Sequence, residues 1–346
     1  MLSLITSIFT SRLVFPIPFI RALLHSMNFV NSLKNHKVAF DQITIDRFSL
    51  VLENARNHRK STGFDTEEMD LKIIIVAAGK DFQMIRQVVA NAIKYTPNYR
   101  IACIEIIAPD HLIKDELLLS LVDWDKRISL VAEGEFLEVA TLREIFSEIY
   151  LGRENWCLQQ FLKYYSILNC ENRFALVIDA DTILLNSMSW LTKENKYLLI
   201  PTLEYTSEYY EVLIQLGAIS ELPDFSFVPH HMFYVVEEFK KMHLAIGNFS
   251  PTQFAQKLKD SSSPNTQSPF CIDYELYGQY LYANYREKVA LGRWANIGIS
   301  RYWFSKFSKF RIWKLVKLIL GLLFNSVSIH SWSKEVIPRS KEPSTS

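Results

Sequence analysis

The chain has 346 residues, 49% of them hydrophobic, enough for one large α/β domain with extensions or for two small ones. A formal net charge of +1 gives no whole-chain field toward nucleic acid, so no nucleic-acid partner is expected. The four cysteines, Cys103, Cys157, Cys170 and Cys271, form no close pair, which fits free thiols in a reducing compartment and excludes a tightly spaced zinc motif.

Residues 1 to 30 are apolar but interrupted by Arg12, Pro16, Pro18 and Arg21, so no stretch reaches bilayer-spanning length. Arg12 follows the apolar run instead of preceding it, unlike a signal peptide. A peripheral membrane contact and a packed N-terminal arm both fit. Residues 31 to 48 alternate weakly, as a short hairpin would, and residues 55 to 69 are polar, as in a linker.

The main domain opens at Leu71. Lys72 to Ala78 is an apolar, β-branched run that predicts a buried parallel strand, with Gly79-Lys80-Asp81 as its turn. A helix is predicted over Phe82 to Tyr95, a strand over Arg100 to Ile107, a helix over His111 to Asp125 and a strand over Ile128 to Ala132. That rhythm predicts a doubly wound α/β sheet. No Gly-x-Gly-x-x-Gly and no phosphate-loop motif is present, so dinucleotide binding and ordinary phosphate-loop ATPase chemistry have no fingerprint. Lys80 is either a phosphate contact or a solvated turn lysine. Leu151 to Leu168 predicts a further helix, on which Gln160 and Lys163 share a face.

Phe174 to Ile178 reads as a buried strand that ends in Asp179-Ala180-Asp181. Acids at i and i+2 on an extended chain point the same way, at the sheet rim where open α/β folds bind ligands. Paired carboxylates need a positive partner, and hard oxygen ligands suit Mg²⁺ or Mn²⁺. The competing reading is a pair of turn or cap acids after a strand.

With the helix Trp156-Cys157-Leu158-Gln159-Gln160-Phe161-Leu162-Lys163 shortly before Val177-Ile178-Asp179-Ala180-Asp181-Thr182, the sequence resembles the metal-dependent nucleotide-sugar glycosyltransferases of the GT-A fold. It is most similar to the bacterial ones of surface-polysaccharide synthesis, over roughly residues 70 to 300. The resemblance implies a GT-A-like (nucleotide-diphospho-sugar transferase) α/β fold with a mixed, mostly parallel sheet flanked by helices. It implies that Asp181 holds Mn²⁺ or Mg²⁺ and that Asp179 contacts the metal or the nucleotide ribose. Ala77, Lys80 and Asp81 would then meet the base and ribose of a nucleoside-diphosphate sugar, and Gln160 and Lys163 would help bind that donor.

Beyond the acid pair, Ser187 to Tyr197 reads as a turn and short helix, followed by a short strand to Ile200. The resemblance puts the acceptor wall in residues 202 to 225. His230 and His231 stand between apolar segments, and adjacent strand residues face opposite ways, so at most one faces a site and either can be a buried structural histidine; the resemblance, which implies a polar residue here beside the acceptor, points to His230. Residues 260 to 270 have a flexible composition, fitting a lid or an idle loop. A helix is expected from Cys271 to about Tyr285, with Asp273 and Glu275 near its start as capping acids or as the general base of an inverting transferase. Arg293 is either a phosphate clamp or a surface arginine.

Phe307 to Phe324 reads as one basic amphipathic helix, lying in a membrane interface or packed on the core. Residues 333 to 346 have a disordered composition. The expected boundaries are an extension to residue 69, a catalytic domain over 70 to 302, a basic helix region over 303 to 332, and the tail. The expected activity is sugar transfer to a glycan or lipid-linked acceptor, at the cytoplasmic face of the cell membrane. A metal-dependent nucleotidyl- or phosphotransferase and a non-catalytic membrane-associated binding protein are the alternatives.

Overall fold

The computed structural model describes residues 69–149, 152–187, 189–202, 206–262, 269–292, 294, 296–309 and 312–330. The expectations for residues 1 to 68, for Arg293, for 263 to 268 and for the last residues from 331 lie outside the described residues. In chain order the elements begin with β1 (Asp70–Val76), α1 (Phe82–Tyr95), β2 (Arg100–Ala108), α2 (Glu116–Trp124) and β3 (Ile128–Ala132). The short α3 (Glu133–Phe136), α4 (Val139–Ile149) and α5 (Glu154–Leu168) lead to β4 (Phe174–Ile178), β5 (Thr182–Leu184) and β6 (Tyr197–Leu199). Then come α6 (Ser207–Gln215), β7 (His231–Val235), α7 (Val236–Ile246), α8 (Pro251–Ser261) and α9 (Glu275–Asn284). The described chain closes with β8 (Val289–Leu291), β9 (Asn296–Ser300), α10 (Arg301–Lys309), α11 (Trp313–Leu323) and β10 (Ser326–His330).

The central sheet has the order β3-β2-β1-β4-β7. The β1–β2, β2–β3 and β1–β4 pairs are parallel, and β7 runs antiparallel to β4 at the edge. This is the expected mixed, mostly parallel sheet flanked by helices. Its strands are apolar on both faces because both are covered. Ile74 and Val76 of β1 and Ala175 and Val177 of β4 face one core, with Phe146, Phe161 and Leu162 from α4 and α5. Ile73 and Ile75, with Phe174, Leu176 and Ile178, face the other, with Ile85 and Val88 of α1 and Leu118 of α2. The two-residue period of the side chains sorts the strands between these cores.

A second sheet, β5-β10-β9, is built directly on the exit of β4. β10 pairs antiparallel with β5 and parallel with β9. Buried hydroxyls hold it there: Thr182 and Ser328 are 2.8 Å apart, and the Asn296 amide donates to Ser328 at 3.0 Å. The segment after residue 302 was expected to be a region of its own beyond the catalytic domain, in a membrane interface or packed on the core. Instead its last strand shares a sheet with the strand that follows the acid pair.

Other expectations change locally. The 111–125 helix starts late: Asp110–Leu112 is a separate 3-10 turn, and Asp115 caps α2 by accepting from the Leu117 amide at 2.9 Å. No helix forms among the described residues of 187–197; Asn195, at φ 59, turns the chain so that Leu191 bridges Tyr197. Asp260 and Ser261 belong to α8, which Ser250 caps and which buries Phe254, Ala255 and Leu258. The basic 307–324 stretch is two helices, α10 and α11, followed by a strand.

Candidate active site

Asp179 leaves the end of β4, and its amide donates to the His230 carbonyl at 3.1 Å, one step past the β4–β7 pairing. The turn closes when the Thr182 amide donates to the Asp179 carbonyl at 2.9 Å. Asp179 and Asp181 thus flank a tight turn between the two sheets.

Asp179 is held on both carboxylate oxygens. Its Oδ1 accepts from Lys163 Nζ at 2.5 Å and from the Tyr274 hydroxyl at 2.6 Å. Its Oδ2 lies 3.2 Å from His230 Nδ1. Lys163 also pairs with Asp273 Oδ2 at 2.8 Å, so one buried ammonium serves two carboxylates. Burial alone would raise the Asp179 carboxyl, but Lys163 and His230 outweigh it and hold the group well below the usual range. Burial likewise opposes the charge on Lys163, and Asp179 and Asp273 reverse that, raising its pKa. His230 sits at φ 62, a left-handed conformation that costs a non-glycine residue about 1–2 kcal/mol. That backbone geometry brings both its carbonyl and its ring to Asp179.

Asp181 is in a different position. Burial, and then the charge of Asp179, push its carboxyl up to about 6, with Asp81 adding to the repulsion and His230 and Lys80 opposing it. Among the described residues, the ion-pair neighbour of Asp181 is His330 at the end of β10, whose Nδ1 lies 3.9 Å from Asp181 Oδ2. Burial, and then the nearby His230, push the His330 imidazole down to about 4, which keeps it neutral near pH 7. The His230 and His330 rings have centroids 5.5 Å apart. Gly298 on β9 leaves room for this arrangement, since a Cβ there would come within 3.0 Å of the His330 ring. The Ile329 amide donates to the Asp181 carbonyl at 2.8 Å and fixes the end of β10 against the turn.

The first turn closes the same region. Lys80 is exposed and Asp81 is buried. Asp81 Oδ1 accepts from Arg301 at 2.6 Å, tying the start of α10 to the end of β1. Ala77 is buried, its amide donating to the Ile107 carbonyl at 2.9 Å.

Several expected site residues have other settings. The Gln160 amide accepts from the Ile272 amide at 2.8 Å and donates to the Phe270 carbonyl at 3.4 Å, so it clamps the chain before α9 and is not open to a donor. Lys163 is spent on Asp179 and Asp273, and Asp273 is its buried counter-ion. Glu275 is fully buried. Its Oε1 accepts from Tyr210, Ser226 and the Phe227 amide, and its Oε2 accepts from Gln279 at 3.0 Å. A carboxylate packed in this way orients the 225–227 segment and does not face an acceptor hydroxyl. Of the two histidines, His231 is buried and His230 lies beside Asp179. Tyr274 and His330 were not singled out from sequence: Tyr274 sat unnoticed between two acids, and nothing in the 307–330 stretch marked its last histidine as part of a site.

Asp181 and His330 are the residues here that could contribute ligands to a divalent cation. Among the described residues, no group of three or more His, Cys, Asp or Glu side chains is arranged to hold a metal alone. Mg²⁺ and Mn²⁺ are commonly held by one or two protein side chains together with substrate phosphates and water. Asp181 and the neutral His330 imidazole supply one hard oxygen and one nitrogen, next to a carboxylate whose negative charge is fixed in place.

No family model and no curated protein matches the chain. Similar solved structures include the galactosyltransferase LgtC in complex with donor and acceptor sugar analogues, 11% identical with a TM-score of 0.41 over 76% of this chain and 88% of that one. Mouse xyloside xylosyltransferase 1, in its apo form, is 10% identical with a TM-score of 0.41 over 75% of this chain and 97% of that one. Likeness at this level carries no residue role across to this chain.

Proposed function

We propose that the protein is a metal-dependent glycosyltransferase that moves a sugar from a nucleoside-diphosphate sugar to a glycan or lipid-linked acceptor in surface-polysaccharide synthesis. The observation that carries this reading is the unequal state of the acid pair. Asp179 is an ionised carboxylate held by Lys163, Tyr274 and His230, whereas Asp181 is left at the sheet rim with its carboxyl pushed up to about 6. Such a carboxylate favours an added cation.

In this reading Asp181 and His330 hold Mn²⁺ or Mg²⁺. When bound, the cation supplies Lewis-acid stabilisation of the diphosphate leaving group. The protein's own groups do the rest. Asp179 orients His230 and adds negative charge behind Asp181 without itself ligating. Lys80, exposed on the first turn and acting on the charge of Asp181, is the cation that would meet the diphosphate. His230 presents its ring beside both acids, where it meets the donor phosphate or the acceptor hydroxyl. The bond from the anomeric carbon to phosphate oxygen breaks, and the bond to the acceptor oxygen forms as that hydroxyl loses its proton.

The test is product analysis. The protein with Mn²⁺ and UDP-, GDP- and CDP-sugars is expected to release a nucleoside diphosphate from one donor, and Asp181→Asn is expected to abolish the release. A phosphate ester or a nucleoside monophosphate as the product would instead make the protein a phospho- or nucleotidyltransferase.

A further inference from the structure

Helix α11 has two faces of opposite use. Trp313, Val316 and Leu320 are buried against the body of the domain. Leu315, Leu318 and Leu322 are 53%, 66% and 73% exposed. At 100° per residue these three leucines fall within about 60° of one another, opposite the buried face. Lys314 lies along one border of the stripe, and the half-buried Lys317 lies beyond it toward the buried face. Residues 301 to 330 contain basic residues and no Asp or Glu. Lys94 from α1 joins the patch, since Lys317 is lowered first by burial and then by the charges of Lys94 and Lys314. On α10, Lys306 lies 4.5 Å from the ring of Tyr302 and 5.8 Å from that of Trp303, so cationic and aromatic groups share the same side of the chain.

The helix is fixed with its leucines outward. Trp313 donates to Gln87 of α1. The Asn186 amide donates to the carbonyls of Gly321 and Phe324 at 2.9 and 2.8 Å, which caps the end of α11 from the strand after the acid pair. The α11 helix, of 11 residues, spans about 16 Å, too short for a hydrocarbon core of about 30 Å. Among the described residues, no helix is long and apolar enough to cross a membrane.

We infer that the Leu315–Leu318–Leu322 face of α11, with Lys314 at its border and Lys317 and Lys94 beyond, docks the protein on the surface of an anionic lipid bilayer. The leucines enter the boundary between headgroups and acyl chains while the lysines meet the lipid phosphates. The charge of the patch selects this occupant over a neutral apolar partner. The docking face and the candidate site are linked through the chain, because α11 runs directly into β10, which ends at His330 beside Asp181. The inference stands independently of the transfer reaction.

The experiment is flotation of the full chain with vesicles of phosphatidylcholine, and with vesicles of equal parts phosphatidylcholine and phosphatidylglycerol. Wild type is expected to float with the anionic vesicles only, and less as salt is raised. Leu318→Asp with Leu322→Asp, both on the outer face, is expected to cut partitioning by roughly tenfold or more at unchanged thermal stability. Lys314→Gln is expected to cut it by roughly fivefold. Failure of wild type to float overturns the inference, as it would if residues 1 to 30 or a second copy covered the face. Unchanged flotation of the leucine variant also overturns it, because another segment would then carry the binding. So does a dimer in sedimentation velocity that this variant dissociates.

Discussion

The site is decided at the scale of single charges. Lys163 is the cation shared by Asp179 and Asp273, at 2.5 and 2.8 Å. Removing it leaves two buried acids without their counter-ion. Lys163→Met is therefore predicted to cost about 3–5 kcal/mol in urea unfolding, well beyond a surface lysine. Glu275 behaves differently, because burial outweighs its four donors and pushes its carboxyl up to about 7 from the ordinary 4.5. The folded state thus binds the Glu275 proton more tightly than the unfolded state does. That contribution is full below pH 4.5 and is lost as pH rises through about 7. The stability of wild type relative to Glu275→Gln is predicted to fall across this window by a few kcal/mol at most. Unfolding curves at several pH values check this, and a difference that stays flat contradicts it. At this scale the sequence was legible in part. Asp179 and Asp181 were visible as a pair after a β-branched run, whereas strand alternation said only that one of His230 and His231 could face the site, and the preference for His230 came from the family resemblance. Their division of labour was not visible, since it depends on Tyr274 and Lys163 arriving from 95 and 16 residues away.

At the scale of elements, the central strands were legible because they are apolar runs bounded by turns, and α1 because its apolar side repeats at helical spacing. The 187–197 segment was misread because its fold rests on a left-handed Asn195 and a buried Trp190, and neither carries a periodic signal. The start of α9 was misread for a related reason: residues 271–274 are drawn into a turn by Gln160 and Lys163. Packing then fixes where α9 sits. A Cβ at Gly278 would stand 2.7 Å from Phe227 Cβ, which is too close to the Phe227 backbone for a rotamer change to relieve. Gly278→Ala is predicted to destabilise by about 1–3 kcal/mol through overpacking, measured by chemical unfolding. A neutral or stabilising effect would mean that α9 can shift on the 225–227 segment.

For the whole molecule, the chain returns to its own centre. The domain was expected to end near residue 302 because the following lysines and leucines look like a separate amphipathic tail. Ser326–His330 alternates polar and β-branched residues as a strand does, but its pairing partners, β5 and β9, are remote in sequence, so nothing local shows where it pairs. Yet β10 places His330 beside Asp181. A chain ending after Phe324 is therefore predicted to lose metal-dependent nucleotide binding, while one ending after Ser333 keeps it. Equal binding by the two would remove His330 and β10 from the site.

The central claim is that Asp181, with the ionised Asp179 held on Lys163 behind it, receives a cation that in turn receives a nucleoside diphosphate. The direct measurement is calorimetric titration with UDP, GDP and CDP, each with and without Mn²⁺, repeated on Asp181→Asn. The predicted result is binding of one nucleotide that requires the metal and is lost in the variant. Binding that ignores Mn²⁺, survives Asp181→Asn, or is missing for all three nucleotides with metal present would contradict it.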